Sequence, residues 1–177
     1  MKIGLIRHFK VNNIPAKFMT SNGFQEWVVL YDNADVIKNE IEISNVEWNK
    51  CYTSDMPRAL KTAEAIFNGE VITMPELREI PLYPVFKTNL KLPYIFWSIC
   101  GRVAWSFSHK SQIEGKKQTE KRINGFLDNI DDKADINILL VSHGLLIYSF
   151  QKELVRRGFQ GDIIKNVRNG VIYIFEK

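Results

Sequence analysis

Cysteine is scarce in this chain: Cys51 and Cys100 are the only two, and they have neither zinc-ligand spacing nor the density of a disulfide framework. Free thiols in a reducing cytoplasm account for them, so the expected location is cytoplasmic. Long apolar runs are lacking too. Only Ile3 to Ile6 precede Arg7, too short a run for a secretion signal. The richest later stretch, LPYIFWSICGRVAWSF at 92–107, is interrupted by Arg102 and falls short of the ~20 residues that cross a bilayer. It reads as a buried or cap helix, with a membrane-surface or dimer contact as the alternative. No tract of one charge sign exists either. The net charge of +4 is spread among interspersed acids and bases, which suits an anionic ligand without indicating nucleic acid. Repeats, low-complexity tracts and a linker are missing, and 177 residues with 45% hydrophobic content suffice for one core, so one domain over 1–177 is expected.

Strand and helix patterns alternate along what is there. Residues 2–7 read as a strand, FQEWVVLYDNA as a helix ending near Asn33, and 33–49 as polar and irregular. KCYT at 50–53 is β-prone, and SDMPRALKTAEAIFNG after it carries helix punctuation: Ser54 or Asp55 to cap, Pro57 in the first turn, Ala59, Ala63 and Ile66 on one face, Gly69 to stop. VITM at 71–74 reads as a strand. Pro75, Pro81, Pro84 and Pro93 break the pattern from 75 to 113, leaving an irregular excursion with one aromatic-rich helix. A helix with Ile123, Phe126, Leu127 and Ile130 follows. Then comes the strongest strand, INILLVSHG, whose apolar run suits a parallel strand buried on both faces. LLIYSFQKELVRRG predicts a helix closed by Arg156, Arg157 and Gly158, and GVIYIFEK a last strand. The alternation predicts an α/β three-layer sandwich, a central mostly parallel sheet with helices on both faces.

Two of these strands, LIRH and LLVSH, deliver a histidine at their carboxyl ends, the rim where open α/β sheets bind ligands. Arg58, in the first turn of the helix after CYTS, faces the same rim if that strand joins the same sheet. Arg7, His8, Arg58 and His143 would then surround a tetrahedral anion with guanidinium forks and imidazoles, helped by the backbone N–H at Gly144. That is a phosphate site.

LIRH at 5–8, YTSDMPRALKTAEAI at 52–66, ELREI at 76–80 and LLVSHG at 139–144 together resemble the histidine phosphatase superfamily, also called the phosphoglycerate mutase-like family. The four blocks follow the family's order. The resemblance implies a phosphoglycerate mutase-like fold and a metal-independent phosphatase that needs no cofactor. It hydrolyses a phosphomonoester through phosphohistidine on His8, with Arg7, Arg58 and His143 on the phosphoryl oxygens. Glu79, after Leu77–Arg78, would protonate the leaving oxygen and then activate water, with Glu76 the competitor for that role. Tyr83 and Phe86 would supply the desolvation a carboxyl acid needs.

The sequence departs from the family beside the nucleophile, where glycine, an acid and Ser or Thr are usual and Phe9, Lys10 and Val11 stand instead. Phe9 would narrow the pocket and Lys10 would engage a second anionic group. With Tyr83 these two are the candidate substrate contacts. After Glu79, where the family often has a glycine-rich turn with a further acid, the aromatic-rich segment at about 80–113 intervenes as the expected cap, and its apolar surface favours a substrate with a ring. The remaining alternatives are mutase-type phosphoryl transfer and a non-catalytic phospholigand-binding module. The expected partner is a small phosphorylated substrate, with no nucleic acid or membrane and with a homodimer through the aromatic-rich segment as a further option.

Overall fold

The computed structural model describes residues 1–41, 43, 46–131 and 136–177. In chain order they form β1 (Lys2–Arg7), β2 (Lys10–Val11), β3 (Phe18–Met19), α1 (Ser21–Asn33), β4 (Val36–Ile37), β5 (Lys50–Thr53), α2 (Pro57–Ile66) and β6 (Val71–Thr73). There follow a short 3-10 turn (Pro75–Leu77), β7 (Leu92–Pro93), α3 (Tyr94–Ser106), α4 (Lys116–Asp131), β8 (Ile138–Ser142), α5 (Gly144–Arg156), β9 (Gln160–Gly161) and β10 (Ile172–Glu176).

The main sheet has the order β6-β5-β8-β1-β10-β9. β6, β5, β8 and β1 run parallel, and β10 returns antiparallel against β1 with β9 at its outer edge. Alternate side chains serve two cores, as strand geometry requires. Ile3, Leu5, Ile138 and Leu140 pack with Phe126, Leu127, Leu146 and Phe150 of α4 and α5. Ile6, Cys51, Leu139 and Val141 pack with Ala59 and Ala63 of α2 on the other face. This is the expected α/β sandwich with a mostly parallel sheet. β8 is buried along its whole length, which is why its sequence is apolar rather than alternating.

Local details differ from the sequence expectation. α2 begins at Pro57 behind Met56, and no side chain caps it: Ser54 Oγ accepts from the Met56 N–H at 3.2 Å, while Asp55 is drawn off by Arg78. A proline in the first turn removes one donor, so less capping is needed. The helix stops at Ile66, where Phe67 turns extended, three residues before Gly69. Five two-residue strands, β2, β3, β4, β7 and β9, were not expected. Of the irregular 33–49 stretch, residues 42, 44 and 45 lie outside the described residues.

The aromatic-rich excursion folds back over the carboxyl rim of the sheet. α3 buries Trp97, Gly101 and Ala104, and Trp97 joins Met19 of β3 and Phe24 of α1 in a third cluster. Gly101 permits a close approach, since a Cβ there would stand 2.5 Å from Leu82 and 3.3 Å from the Tyr83 carbonyl. Ile99 and Val103 remain exposed on the outer side. No helix among the described residues is long and apolar enough to cross a membrane.

Candidate active site

The register of the two central strands brings the histidines together. β1 and β8 pair in parallel with Arg7 opposite Ser142, and the His8 N–H extends the ladder to the Ser142 carbonyl at 3.0 Å. The next residue on each strand is therefore a histidine, and the two rings lie 5.1 Å apart, centroid to centroid. β5 pairs with the other side of β8, so the chain leaving Thr53 enters α2 at the same rim and delivers Arg58 from its first turn.

Arg58 is buried to within 2% and ties the group together. Its Nε–H lies 3.2 Å from both Nε2 of His8 and Nδ1 of His143. Its Nη1 donates to Asp32 Oδ1 at 2.8 Å, and its guanidinium sits over the Tyr31 ring at 5.2 Å. A guanidinium only donates, so each facing imidazole nitrogen carries a lone pair. In His8 the other nitrogen, Nδ1, lies 2.6 Å from the Phe9 carbonyl, which requires the proton on Nδ1 and leaves Nε2 unprotonated. In His143 the proton then belongs on Nε2. That buried atom has no hydrogen-bond partner among the described residues, and neither has the buried Nε of Arg7, whose Nη1 donates to the Val167 carbonyl at 2.9 Å. Two N–H donors thus stand unused at the rim, and buried donors are rarely left so without a ligand to serve.

Electrostatics keep both rings neutral. Burial, then the Arg58 and Arg7 charges, lower the His8 pKa to about 3 against the opposing pull of the Phe9 carbonyl. Burial first, and then Arg58, His8 and Arg7, hold His143 well below the ordinary imidazole range. Asp32 moves the other way: burial raises its pKa although Arg58 pulls it down.

A cavity of about 630 Å³ opens on this cluster. Arg7, His8, Asp32, Arg58, Glu79 and Tyr83 are among the residues lining it. The structure therefore brings Arg7, His8, Arg58 and His143 together and places Glu79 on the same cavity. His143 itself is fully buried behind the wall. Glu79 Oε1 accepts from the Ile80 N–H at 3.0 Å, and Glu76 does not line the cavity. Tyr83 is fixed through its backbone by Gln112, which accepts from its N–H at 3.1 Å and donates to its carbonyl at 2.9 Å. Gly144 packs against Arg7, where a Cβ would stand 3.5 Å from the guanidinium.

Phe9 and Lys10 do not reach the cavity. The pleat that turns His8 toward it turns Phe9 inward, leaving that ring 1% exposed with its N–H on Thr62 Oγ1 at 2.9 Å. Lys10, on β2, pairs with Ile37 of β4 and points to solvent. Phe86 likewise packs on Phe96 and Trp97 away from Glu79's cavity. Sequence reasoning missed Asp32 and Tyr31, which lie in a helix end that resembles an ordinary solvated terminus. It also missed Asn169, whose Nδ2 donates to the His8 carbonyl at 2.7 Å. Among the described residues no group of three or more His, Cys, Asp or Glu is disposed to hold a metal ion. Cys51 is buried, which pushes its thiol up to about 12 and leaves it unreactive.

Known proteins give the cluster its context. Several solved structures share the fold. A putative alpha-ribazole-5'-P phosphatase from Escherichia coli K-12 is 18% identical at a TM-score of 0.64, over 98% of this chain and 89% of that one. A phosphoglycerate mutase from Bacillus anthracis is 18% identical at 0.61, over 100% and 92%. A phosphoserine phosphatase from Entamoeba histolytica is 20% identical at 0.56, over 98% and 89%. At these identities the likeness is one of fold. No curated protein matches the sequence. The family model of the histidine phosphatase superfamily (branch 1) matches residues 39–176, a span that contains Arg58, Glu79 and His143, while Arg7 and His8 precede it. With more than half its length matched and its fold shared throughout, the chain belongs to the histidine phosphatase superfamily, branch 1.

Proposed function

We propose that this protein hydrolyses phosphomonoesters through a phosphohistidine formed on Nε2 of His8. One observation carries the reading: the 2.6 Å contact from His8 Nδ1 to the Phe9 carbonyl leaves an Nε2 lone pair at a cavity wall, held by Arg58. A neutral, oriented imidazole is a competent nucleophile near pH 7, since a ring that titrates near 3 is unprotonated there.

Nε2 attacks phosphorus as the ester P–O bond breaks. Arg7 Nε–H and Arg58 on the cavity wall stabilise charge on the equatorial oxygens, backed by His143 Nε2–H from behind that wall. Glu79, one of the carboxyl groups on the cavity wall, gives its proton to the leaving oxygen. It then takes a proton from the water that attacks the phosphoenzyme, so the P–N bond breaks, phosphate leaves and His8 returns to its starting state. Charge compensation by permanently charged arginines makes the chemistry independent of a metal.

The test is a panel of phosphomonoesters incubated with the protein in chelator, with phosphate release measured and the phosphoenzyme trapped in a rapid quench. Release from the wild type, and neither release nor acid-labile phosphoenzyme from His8→Ala, is the expected result. A stable phosphoenzyme that returns its phosphoryl group only to substrate would indicate a mutase, and binding without either would indicate a phospholigand module.

A further inference from the structure

Arg58 divides its donors in a way that phosphate binding alone does not explain. Nε–H is shared by the two histidines, Nη2 faces the thioether of Met56 at 3.5 Å, and Nη1 is given to the Asp32 carboxylate at 2.8 Å. A phosphoryl group bonded to His8 Nε2 draws on the same guanidinium, so Asp32 and the anion compete for one positive charge. Asp32 is not a distant surface partner: it lines the cavity beside His8 and Glu79, at the end of α1.

We infer that Asp32 is the counter-ion of this site, clamping Arg58 when no anion is bound and taking up a proton when a tetrahedral dianion enters, so that the site binds its anion together with a proton. The inference rests on reading the pocket as a phosphate site. Two charged groups act on the carboxyl, and the Tyr31 ring shares its Arg58 partner. Arg58 from α2 favours its charged form. Glu79, from the segment after the 3-10 turn, opposes it, and Tyr31 on its own helix has a hydroxyl that burial keeps neutral. Burial already outweighs the Arg58 pull, so the carboxyl sits above its ordinary range before any anion arrives. A second negative group on the same guanidinium pushes in the same direction. Once protonated, the carboxyl still accepts from Nη1 through its carbonyl oxygen and offers an O–H to the anion. A repulsive neighbour becomes a donor, and the proton comes from solvent.

A purely structural clamp predicts the opposite sign. If Asp32 only orders Arg58, its removal loosens the guanidinium and weakens anion binding. If it is the counter-ion, its removal frees a full positive charge for the anion.

Sulfate is the probe, because it is a tetrahedral dianion that does not titrate between pH 5 and 9, so any proton taken up belongs to the protein. Calorimetric titrations in buffers of different ionisation heat count the protons for the wild type, Asp32→Asn, Asp32→Ser and Asp32→Glu, with thermal unfolding confirming that each is folded. The wild type is expected to take up more protons per sulfate than Asp32→Asn, by a difference approaching one at the pH optimum of the effect. Asp32→Asn should bind sulfate about tenfold more tightly at pH 7.5 and with a flatter pH dependence. Asp32→Ser should follow Asp32→Asn, and Asp32→Glu should restore the uptake. Any protons gained by His8 and His143 are common to all four and cancel in the comparison. Equal proton counts in the wild type and both neutral variants, or weaker sulfate binding in those variants, overturns the inference while leaving the phosphate site standing. A folded wild type that binds neither sulfate nor inorganic phosphate overturns the site and the inference with it.

Discussion

The Nε–H of Arg58 points at Nε2 of His8 from 3.2 Å, so an arginine of α2 and the backbone carbonyl behind the ring together settle which nitrogen of His8 faces the cavity. The same N–H reaches His143 at 3.2 Å. Charge alone does not achieve this. A lysine ammonium in the same place has no planar fork with which to span two rings and a carboxylate.

Arg58→Lys is therefore expected to behave nearly as badly as Arg58→Ala. Turnover of p-nitrophenyl phosphate should fall about 10²–10³-fold in both, the usual loss when a preorganised donor to a developing oxyanion is removed. Steady-state rates for the two variants decide it. A lysine variant with wild-type kcat would show that positive charge suffices and that the fork geometry is incidental.

The buried neutral histidines also make stability depend on pH. In the unfolded chain His8 has its ordinary pKa of 6.5, and in the folded chain it titrates at about 3. Between those values the unfolded state binds the extra proton, so stability is full above pH 6.5 and is lost as pH falls toward 3, by about 1.4 kcal/mol per pH unit for each such group. His143 is lowered for the same cause and adds in the same direction. Urea unfolding of the wild type and His8→Gln from pH 5 to 7 should give a shallower slope in the variant. Identical slopes would mean that His8 is protonated in the folded protein after all.

Glu79 lines the cavity and, among the described residues, has the Ile80 N–H alone on one oxygen, which leaves its carboxyl available to a leaving group. Glu79→Gln is expected to slow alkyl phosphomonoesters by ~10²–10⁴-fold, the range for lost acid–base assistance. p-Nitrophenyl phosphate needs little protonation of its leaving oxygen, so its phosphorylation step should suffer far less. A single-turnover comparison of the two substrates isolates that step. Undiminished rates on both would remove Glu79 from the mechanism.

What could be read in the sequence follows from how local each signal is. The strands ending in His8 and His143 were legible because an apolar run and its abrupt polar end are adjacent in the chain. α2 was legible because Pro57 and the apolar spacing mark it. The two-residue strands were not, since a single pair of residues has no period. Asp32 was missed because its partner lies 26 residues away on another helix, and nothing around it distinguishes an ion pair inside a cavity from a solvated helix end. Phe9 was misjudged for a related reason. Its neighbour His8 faces the site, but side-chain direction at a strand exit alternates, and the receiving space beside Thr62 is built by α2. The aromatic segment betrayed its proline breaks and its helix, while its position over the rim depends on contacts such as Gly101 against Leu82 that only the folded chain makes.

That segment sets the last expectation, which concerns the part of the substrate beyond the phosphoryl group. Ser98 and Arg102 stand one turn apart on α3 and both line the cavity. Arg102 has no hydrogen bond or ion pair among the described residues, and Ser98 Oγ is buried without a partner. The other cavity arginines remote from His8 are engaged: Arg78 with Asp55, and Arg122 with Glu114 at 2.9 Å. A substrate with a carboxylate or second phosphate distal to its ester would meet Arg102 as an unspent charge. Arg102→Ala should then lower kcat/KM about 10–100-fold for such substrates, the worth of a hydrogen bond to a charged group, and leave p-nitrophenyl phosphate unchanged because it carries no distal acid. Measuring both substrates in one variant separates recognition from damage to the fold, since damage would slow both alike. Equal rates with wild type on every acidic phosphomonoester would show that Arg102 faces solvent only and takes no part in choosing the substrate.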